Sequence, residues 1–182
     1  MAKTHRQRHE NPTARETHGR VKAIGVGINE ADVAADFIRA GNFDCIMPAG
    51  RHTLLDQSAR DVFLRLAQSR GVDVFMAGAF NSGVLAKPNA EGVTYDCAVA
   101  PGEIVGRAKR IAAICSEFDA PLQTAAIQFP CGRSAAKTVA LGMSKPERIR
   151  QKFGWLSMKV PPALRSRLKQ ERLIRDDAPL PA

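Results

Sequence analysis

Hydrophobic and polar positions divide the chain into a polar beginning and a regular alternation of strand-like and helix-like segments. Residues 1–20 are polar and show no apolar periodicity, which predicts a disordered or loosely attached basic tail. From residue 21 onwards, short apolar runs alternate with segments in which apolar residues recur every three or four positions. The short runs are typical of buried strands, and the periodic segments are typical of amphipathic helices. We therefore predict one folded domain over residues 21–182.

The alternation contains four successive strand–helix units. We predict strands over residues 21–28, 43–47, 72–79 and 137–142. We predict helices over residues 30–41, 56–71, 102–120, 121–130, 145–156 and 161–174, with a long loop at 80–101. Asn29 is a good N-cap for the first helix and Gly41 a good stop. Pro161 or Pro162 suits the first turn of the last helix.

Two of the predicted helices show a clear apolar stripe. The stripe consists of Val33, Ala34, Phe37 and Ile38 in the first helix, and of Val62, Phe63, Leu66 and Ala67 in the second. The short, apolar strands predict burial on both faces, within a parallel sheet crossed by helices. Two architectures fit this pattern: an open doubly wound sheet, or part of a (β/α)8 barrel, whose closure needs eight strands.

The first strand-like stretch, VKAIGVGINE at residues 21–30, raises the question of a ligand. Gly25 and Gly27 interrupt the apolar run near its end, and glycine lets a backbone approach a ligand closely. Taken alone, the stretch fits the phosphate cradle of a nucleotide-binding protein or one structural strand of a larger fold.

The composition is that of a globular protein with an uneven positive charge. The chain has 182 residues, 45% of them apolar, and a formal net charge of +9. Residues 1–22 contribute +4 and residues 145–175 contribute +8, so the remainder sums to −3. Such segments could attract nucleic acid, but the chain has one Trp and one Tyr and no interleaving of aromatic and basic residues. Solvated helix faces and a basic tail account for the charge better than a nucleic-acid partner does.

Cysteine and histidine spacing predicts a reduced, cytoplasmic protein without a metal site. No two cysteines form a CxxC pair, so we expect free thiols in small core positions. His5 and His9 are four apart, but no carboxylate or Cys completes a tetrahedral set. No apolar run is long enough to cross a bilayer, and the N-terminus lacks the apolar stretch of a signal peptide, so we expect no membrane partner. The cysteines are Cys45, Cys97, Cys115 and Cys131.

Five motifs resemble those of the aldo-keto reductase family and occur in the same order. They are VKAIGVGINE at 21–30, AGRHTLLDQ at 49–57, AGAFNSGVLA at 77–86, AAIQFPCG at 125–132 and SKPERIRQKFGWL at 144–156. The closing LIRDDAPLPA at 173–182 is similar to the tail of the sugar-dehydrogenase branch, the L-fucose, D-threo-aldose and pyridoxal dehydrogenases. The resemblance covers roughly residues 14–180. It implies an α/β chain that forms strands five to eight, the C-terminal half of a (β/α)8 TIM barrel.

The resemblance also implies a nicotinamide cofactor, NAD or NADP, at the carboxyl ends of these strands. Asn29 falls where the family holds the cofactor carboxamide with a Ser–Asn pair, and this role is compatible with capping the next helix. The third strand and its loop resemble the segment that passes the pyrophosphate, although Ala79 replaces the usual proline. The residues that this segment would present to phosphate are Gly78, Phe80, Asn81 and Ser82.

The fourth strand and its helix resemble the adenosine-binding end of the family's site. Arg148 falls on the position of a family arginine, whose guanidinium packs on adenine or reaches a 2′-phosphate. Gln151 falls on the position of the family residue that pairs with the adenine amino group. Lys152 replaces the usual asparagine, and Gly142–Met143 replaces the Lys–Ser pair of many NADP-preferring members. The choice between NAD and NADP therefore stays open, and we expect weak or vestigial binding.

The family's catalytic groups are implied to lie outside the matched region. They are a Tyr that transfers the proton, a Lys and an Asp that lower the pKa of this Tyr, and a His that orients the substrate. All four lie on the first four βα units. We expect no catalytic residue in this chain, because Tyr95 lies in the long loop and His52 is predicted to pack. General acid–base catalysis contributes roughly 10²–10⁴-fold in rate, so we expect the chain to be inactive alone.

Three functions follow from these observations. The first is the truncated C-terminal half of an NAD(P)-dependent aldose or alcohol dehydrogenase, acting on a sugar or a small aldehyde or alcohol. The second is a non-catalytic half-barrel that binds cofactor, pairs with a missing N-terminal half-barrel or associates with itself. The third is a basic protein associated with nucleic acid, which predicts binding that falls steeply with salt.

Overall fold

A four-stranded parallel sheet is the centre of the computed structural model, which describes residues 21–132 and 136–178. The strands are β1 (Gly25–Ile28), β2 (Cys45–Pro48), β3 (Asp73–Ala77), β4 (Thr94–Tyr95), β5 (Ala98–Val99) and β6 (Ala136–Ala140). Within the described residues, β1, β2, β3 and β6 lie side by side in that order, and all their pairings are parallel. β4 and β5 form a separate antiparallel hairpin within the long loop after β3.

Helices connect the strands of the sheet and extend the fold beyond it. They are α1 (Ala31–Ala40), α2 (Phe63–Arg70), α3 (Gly102–Glu117), α4 (Leu122–Gln128), α5 (Pro146–Ser157) and α6 (Pro162–Gln170). Short 3₁₀ turns occupy Ser58–Arg60, Asn81–Gly83 and Phe129–Gly132. Gly71 ends α2 in the left-handed conformation, and Pro162 begins α6, as expected for these residue types.

Among the described residues, helices cover one face of the sheet and leave the other face open. Alternate strand residues Ile46, Val74 and Met76 are buried against the apolar side chains of α1 and α2. On the opposite face, Met47 is 40% exposed and Gly27 is exposed. The expectation that the strands are buried on both faces is therefore wrong. The helices α1 and α2 pack on the same side, which does not fit a doubly wound sheet.

A second apolar core joins the C-terminal helices to the loops that follow β2 and β3. Ile111 of α3 and Leu164 of α6 are fully buried in this cluster, together with Leu85 from the loop after β3. The segment after α6 returns to the start of α2, where the backbone N–H of Arg175 donates to Gln57 Oε1 at 2.9 Å. The last described residues are thereby fixed to the second strand–helix unit.

Several local predictions are corrected by the structure. Glu30, not Asn29, is the N-cap of α1, and no side chain caps this helix. Val33 and Val62 are 38% and 46% exposed, because the buried stripes of α1 and α2 include Ala35 and Leu64 instead. A periodicity of 3.6 residues leaves the phase of a short stripe uncertain by one position.

The cysteine prediction is also corrected in part, and one prediction lies beyond the described residues. All four cysteines are free, but only Cys115 is a buried core residue, whereas Cys97 and Cys131 are exposed and Cys45 is partly exposed. The predicted basic tail, residues 1–20, lies outside the described residues.

Candidate functional site

Predicted site residues follow the carboxyl ends of two of the parallel strands: Asn29 follows β1 and the segment 78–82 follows β3. Gly50 after β2 and Gly142 after β6 lie at the corresponding positions of the other two strands. Because all pairings of these strands are parallel, their carboxyl ends meet at one edge of the sheet, where α/β proteins commonly bind ligands.

Gly78 allows the ends of β2 and β3 to approach closely. Its φ is +70°, and a Cβ atom there would lie 2.7 Å from the backbone nitrogen of Gly50. Gly50 in turn donates its N–H to the carbonyl oxygen of Ala77 at 2.9 Å. Gly78 therefore brings the two strand ends together, and its contact with a phosphate stays a prediction.

Asn81 is a buried side chain that holds the loop after β3 against the end of β2. It is 2% exposed, and its Nδ2 donates to the carbonyl oxygen of Gly50 at 3.0 Å. Its Oδ1 is buried and has no hydrogen-bond partner among residues 21–132 and 136–178. The amide nitrogen of Asn81 is therefore used in a hydrogen bond within the fold, while its amide oxygen has no such bond to a described residue.

Ser82 is exposed and connects the same turn to the β4–β5 hairpin. Its Oγ accepts the backbone N–H of Cys97 at 3.3 Å, and its carbonyl oxygen accepts Thr94 Oγ1 at 2.9 Å. These two bonds fix the hairpin beside the turn that was predicted to meet a pyrophosphate.

Arg51 joins the ends of β1 and β2 to the tip of the hairpin. Its Nε donates to the carbonyl oxygen of Asn29 at 2.5 Å, and its guanidinium lies 2.9 Å from both Asp56 Oδ2 and Asp96 Oδ2. Burial opposes the charge of Arg51, but hydrogen bonds and charges from the two carboxylates outweigh it and raise its pKa. Sequence reasoning missed this cluster, although Arg51 follows a strand at the predicted edge.

Tyr95 lies beside the same acidic groups. Burial, and then the negative charges of Asp56 and Asp96, raise the pKa of Tyr95 above its ordinary value. A tyrosine that serves as a proton acceptor near neutral pH needs the opposite shift. The environment of Tyr95 does not provide that shift.

Lys152 connects the loop after β3 with the end of β6. Its Nζ donates to the carbonyl oxygen of Gly142 and lies 5.6 Å from the centre of the Phe80 ring. Phe80 packs edge-on against Trp155, with 6.1 Å between ring centres. Burial, and secondarily the charge of Arg148, lower the pKa of Lys152. Sequence reasoning noted this lysine only as a departure from the family and did not place it in the site.

Three of the predicted site residues are exposed around this edge: Arg148, Gln151 and Asn29. Arg148 and Gln151 lie on α5, and the Arg148 guanidinium forms no ion pair with a described residue. The Asn29 side chain is exposed, and the backbone carbonyl oxygen of Asn29 accepts the hydrogen bond from Arg51 Nε. His52 is buried and packs on Phe129 with 5.3 Å between ring centres, as a packing residue would.

A shallow cavity of about 390 Å³ lies near Arg51, at the start of α1. Its walls include the carboxylates Glu30, Asp32 and Asp61, which would repel a phosphate. Within residues 21–132 and 136–178, no three His, Cys, Asp or Glu side chains gather closely enough to hold a metal ion. Over the same part of the chain, no helix has the length and apolar character needed to span a bilayer.

Sequence comparison assigns the chain that carries this site to a known family. A profile of the aldo/keto reductase family matches residues 14–170. The chain belongs to the aldo/keto reductase family. These proteins are oxidoreductases that generally use NAD or NADP, so the predicted class of protein is confirmed.

Two curated aldo/keto reductase relatives cover most of this chain. A pyridoxal 4-dehydrogenase from Microbacterium luteolum is 40% identical over 156 residues, which is 86% of this chain and 46% of the relative. A D-threo-aldose 1-dehydrogenase from a Pseudomonas species is 38% identical over 158 residues, 86% of this chain and 48% of the relative. The chain spans about half the length of these relatives.

Solved aldo/keto reductase structures show the same fold. The apo form of an aldo-keto reductase from Bacillus halodurans superimposes with a TM-score of 0.71 at 20% identity, over 96% of this chain and 59% of the other. Its holo form gives a TM-score of 0.66 at 21% identity, over 89% and 53% of the two chains. The predicted fold class, four parallel βα units that form half of a (β/α)8 barrel, is confirmed.

Proposed function

We propose that residues 21–182 form the cofactor-binding half of an NAD(P)-dependent aldose or alcohol dehydrogenase. The observation that carries the proposal is the positive charge of Lys152, which lies 5.6 Å from the centre of the Phe80 ring at the strand ends of an aldo/keto reductase chain. The charge of Arg148 acts on Lys152, and neither residue forms an ion pair with a described residue. The buried Oδ1 of Asn81 is a polar atom at this edge that has no hydrogen-bond partner among the described residues. The cations suit an anionic ligand, and the Asn81 oxygen suits a ligand group that donates a hydrogen bond.

The residues divide the binding of the cofactor between them. The Asn29 side chain would hold the carboxamide, and Arg148 with Gln151 would hold the adenosine end. The pyrophosphate would meet the segment after β3, through Ser82 and the backbone of Gly78 and Phe80, because the backbone N–H of Asn81 already donates to the carbonyl oxygen of Gly78 at 2.9 Å. When bound, the cofactor supplies the acceptor or donor of a hydride, and this chain's residues bind and orient it.

The acid–base step needs groups beyond those in this half. Tyr95 is the sole tyrosine of the chain, and its raised pKa makes it a poor proton acceptor. We propose that the chemistry depends on the four βα units that precede this region in full-length relatives, whichever polypeptide carries them. Loss of general acid–base catalysis costs roughly 10²–10⁴-fold in rate. A sugar, or a small aldehyde or alcohol, is the substrate class proposed for the completed barrel.

Binding and turnover measured on the 182-residue chain test this proposal directly. Titration with NAD and NADP, followed by Trp155 fluorescence, should show saturable binding, because Trp155 packs on Phe80 at the proposed site. Oxidation of L-fucose, D-threo-aldoses and pyridoxal, followed by absorbance of the reduced cofactor, should stay at background. Absence of binding to both cofactors would contradict the proposal, and so would turnover by the chain alone.

The open sheet face favours a second candidate, a non-catalytic half-barrel that works by pairing with another half. Met47 is 40% exposed on this face, next to the exposed glycines of β1. Unsealed apolar surfaces drive association, either with a complementary half-barrel or with a second copy. Sedimentation analysis distinguishes this candidate, since a monomer at all concentrations, with and without the other half of a relative, would contradict it.

The location and the remaining partner class stay proposals. The four free cysteines support a reducing compartment, and we propose the cytoplasm. Association with nucleic acid predicts binding to DNA or RNA that weakens steeply with salt, and failure to bind at low salt would remove this class.

A further inference from the structure

Apolar side chains on α5 form a patch on the surface. Ile149, Phe153 and Leu156 are 42%, 63% and 37% exposed. Their spacing of four and then three residues puts them on one face of the helix, and we call them the α5 patch. A different face carries Lys152, which lies over the Phe80 ring. Single exposed apolar residues are common on proteins, whereas a contiguous patch marks a surface for a partner.

The α5 patch belongs to the strand–helix unit at an open edge of the sheet. Among the described residues, β6 pairs only with β3, so its second edge presents unpaired backbone groups. In the first unit, α1 contacts both the strand before it, β1, and the strand after it, β2. Right-handed crossovers repeat this arrangement from one unit to the next. A further parallel strand beside β6 would therefore lie beneath α5, and the α5 patch is available to cover it.

A second apolar patch belongs to the unit at the opposite edge of the sheet. Within the part of the chain that the structure describes, β1 pairs only with β2. On α1, Val33, Phe37 and Ala40 have the same spacing of four and then three residues, and we call them the α1 patch. Val33 is 38% exposed, Ala40 is exposed and Phe37 is partly exposed. The two patches therefore match in spacing and in apolar character.

Opposite charges stand at the first turns of these two helices. The N-cap of α5 is Lys145 and the N-cap of α1 is Glu30, and both residues are exposed. Neither caps its helix through its side chain, and neither forms an ion pair with a described residue. Neighbouring helices of a (β/α)8 barrel run in the same direction, so their first turns lie side by side. Packing α5 of one copy beside α1 of another would thus bring a positive charge next to a negative one.

We propose that the α5 patch binds the α1 patch of a second copy of this chain, so that two copies close one eight-stranded barrel. A two-fold axis along the barrel leaves all strands parallel and sets β6 of each copy beside β1 of the other. Eight strands close this type of barrel, and two-fold dimers are the commonest oligomers. The inference rests on the half-barrel of the proposed function and specifies its partner. The dimer also covers the open sheet face that exposes Met47.

Sedimentation velocity of the 182-residue chain over a range of concentrations tests the dimer. We expect an equilibrium that stops at twice the 19.7 kDa of one chain, because a closed barrel leaves no edge for a third copy. Phe153→Lys should raise the dissociation constant by about thirtyfold or more, as for an aromatic side chain at the centre of an interface. Val62→Lys is the matched control and should leave it unchanged, because Val62 is 46% exposed at the start of α2, which belongs to neither edge.

A charge exchange identifies the two surfaces that meet. Lys145→Glu and Glu30→Lys should each weaken the dimer several-fold, and the double variant should restore it, because the attraction returns with the signs reversed. The inference is overturned by a monomer at all concentrations, by assemblies that grow beyond a dimer, or by a Phe153→Lys dimer as tight as the parent. It is also overturned if the double charge variant is no tighter than the single ones.

The N-terminal half of a relative separates this inference from the proposed function. Because that half needs the same two edges, adding it should displace the second copy and give a one-to-one complex. An unchanged dimer without any complex would also support the second copy as the occupant, whereas a complex that retains both copies would overturn the interface. A monomer that still binds NAD or NADP, measured by Trp155 fluorescence, overturns the inference alone. Absence of cofactor binding contradicts the proposed function, whether or not the chain dimerises.

Discussion

Arg51 Nη2 lies 2.9 Å from Asp96 Oδ2, and this ion pair fastens the β4–β5 hairpin to the carboxyl end of β2. The two residues are 45 positions apart in the sequence, and neither belongs to a motif that predicts the contact. The Arg51 side chain is 17% exposed and the Asp96 side chain 43% exposed, so the pair is only partly screened by water. The hairpin beside the proposed pyrophosphate turn is therefore held by this ion pair together with the two hydrogen bonds to Ser82.

Asp96→Asn should loosen this hairpin without unfolding the protein. We expect faster amide hydrogen exchange at residues 94–99 and a loss of at most about 1 kcal/mol in the free energy of unfolding, as is usual for a partly exposed ion pair. Asp119→Asn is the matched control, because Asp96 and Asp119 have φ values of +49° and +52° and asparagine tolerates this conformation. Equal exchange in the two variants would show that the ion pair does not hold the hairpin.

Gly78→Ala should destabilise the protein more than Gly71→Ala does. The two glycines have φ values of +70° and +67°, so both variants carry the same left-handed strain of about 1 kcal/mol or more. A Cβ at Gly78 would also lie 2.7 Å from the Gly50 nitrogen, whereas nothing lies within 4 Å at Gly71. Urea unfolding should show an additional loss of about 1–3 kcal/mol for Gly78→Ala. Equal losses would mean that the strand ends can separate freely.

Asp177 should make the stability of the fold fall at low pH. Hydrogen bonds from Arg60, followed by Arg175, lower the pKa of Asp177 to about 2, although its burial acts in the opposite direction. The unfolded value is about 3.9, so the contribution to stability is complete above that pH and is lost as the pH falls towards 2. Urea midpoints measured between pH 5 and pH 2 should fall less in Asp177→Asn than in the parent. Asp176→Asn, the neighbouring control, should keep the parental slope, and identical slopes in all three proteins would refute the assignment.

Met47→Lys should reduce self-association through the open sheet face. The substitution places a charge on a surface where the methionine is 40% exposed, so the folded monomer loses little. Val62→Lys is the control, because Val62 is 46% exposed at the start of α2, away from that face. Sedimentation velocity should show a smaller associated fraction for Met47→Lys only. An unchanged fraction would indicate that copies associate through another surface.

The fold class could be predicted from sequence because strand and helix periods report local burial. The order of four strands and the positions of the main helices follow from apolar runs and from residues such as Gly71 and Pro162. The sequence did not determine which residues of each apolar stripe face the core, because the stripe of a short amphipathic helix can be shifted by one residue. Val33 and Val62 were predicted to be buried and are exposed. The open face was missed for a different reason, since short apolar strands look alike whether one face or both are covered.

The site could be located by resemblance, but its contacts could not. Gly78 and Asn81 were predicted to meet a ligand, and the structure shows that both also hold the end of β2. The roles of Arg51 and Lys152 depend on groups brought together by the tertiary fold, over separations that no local pattern encodes.

Complementation by the N-terminal βα units of a relative tests the central claim most directly. The 182-residue chain is mixed with the N-terminal half of the Microbacterium luteolum pyridoxal 4-dehydrogenase, and reduction of NADP and NAD is followed with pyridoxal and with D-threo-aldoses. We predict background rates for each half alone and substrate-dependent turnover for the mixture, at least 10²-fold above background, because the acid–base groups are then supplied. Turnover by the 182-residue chain alone at the rate of the mixture would contradict the account.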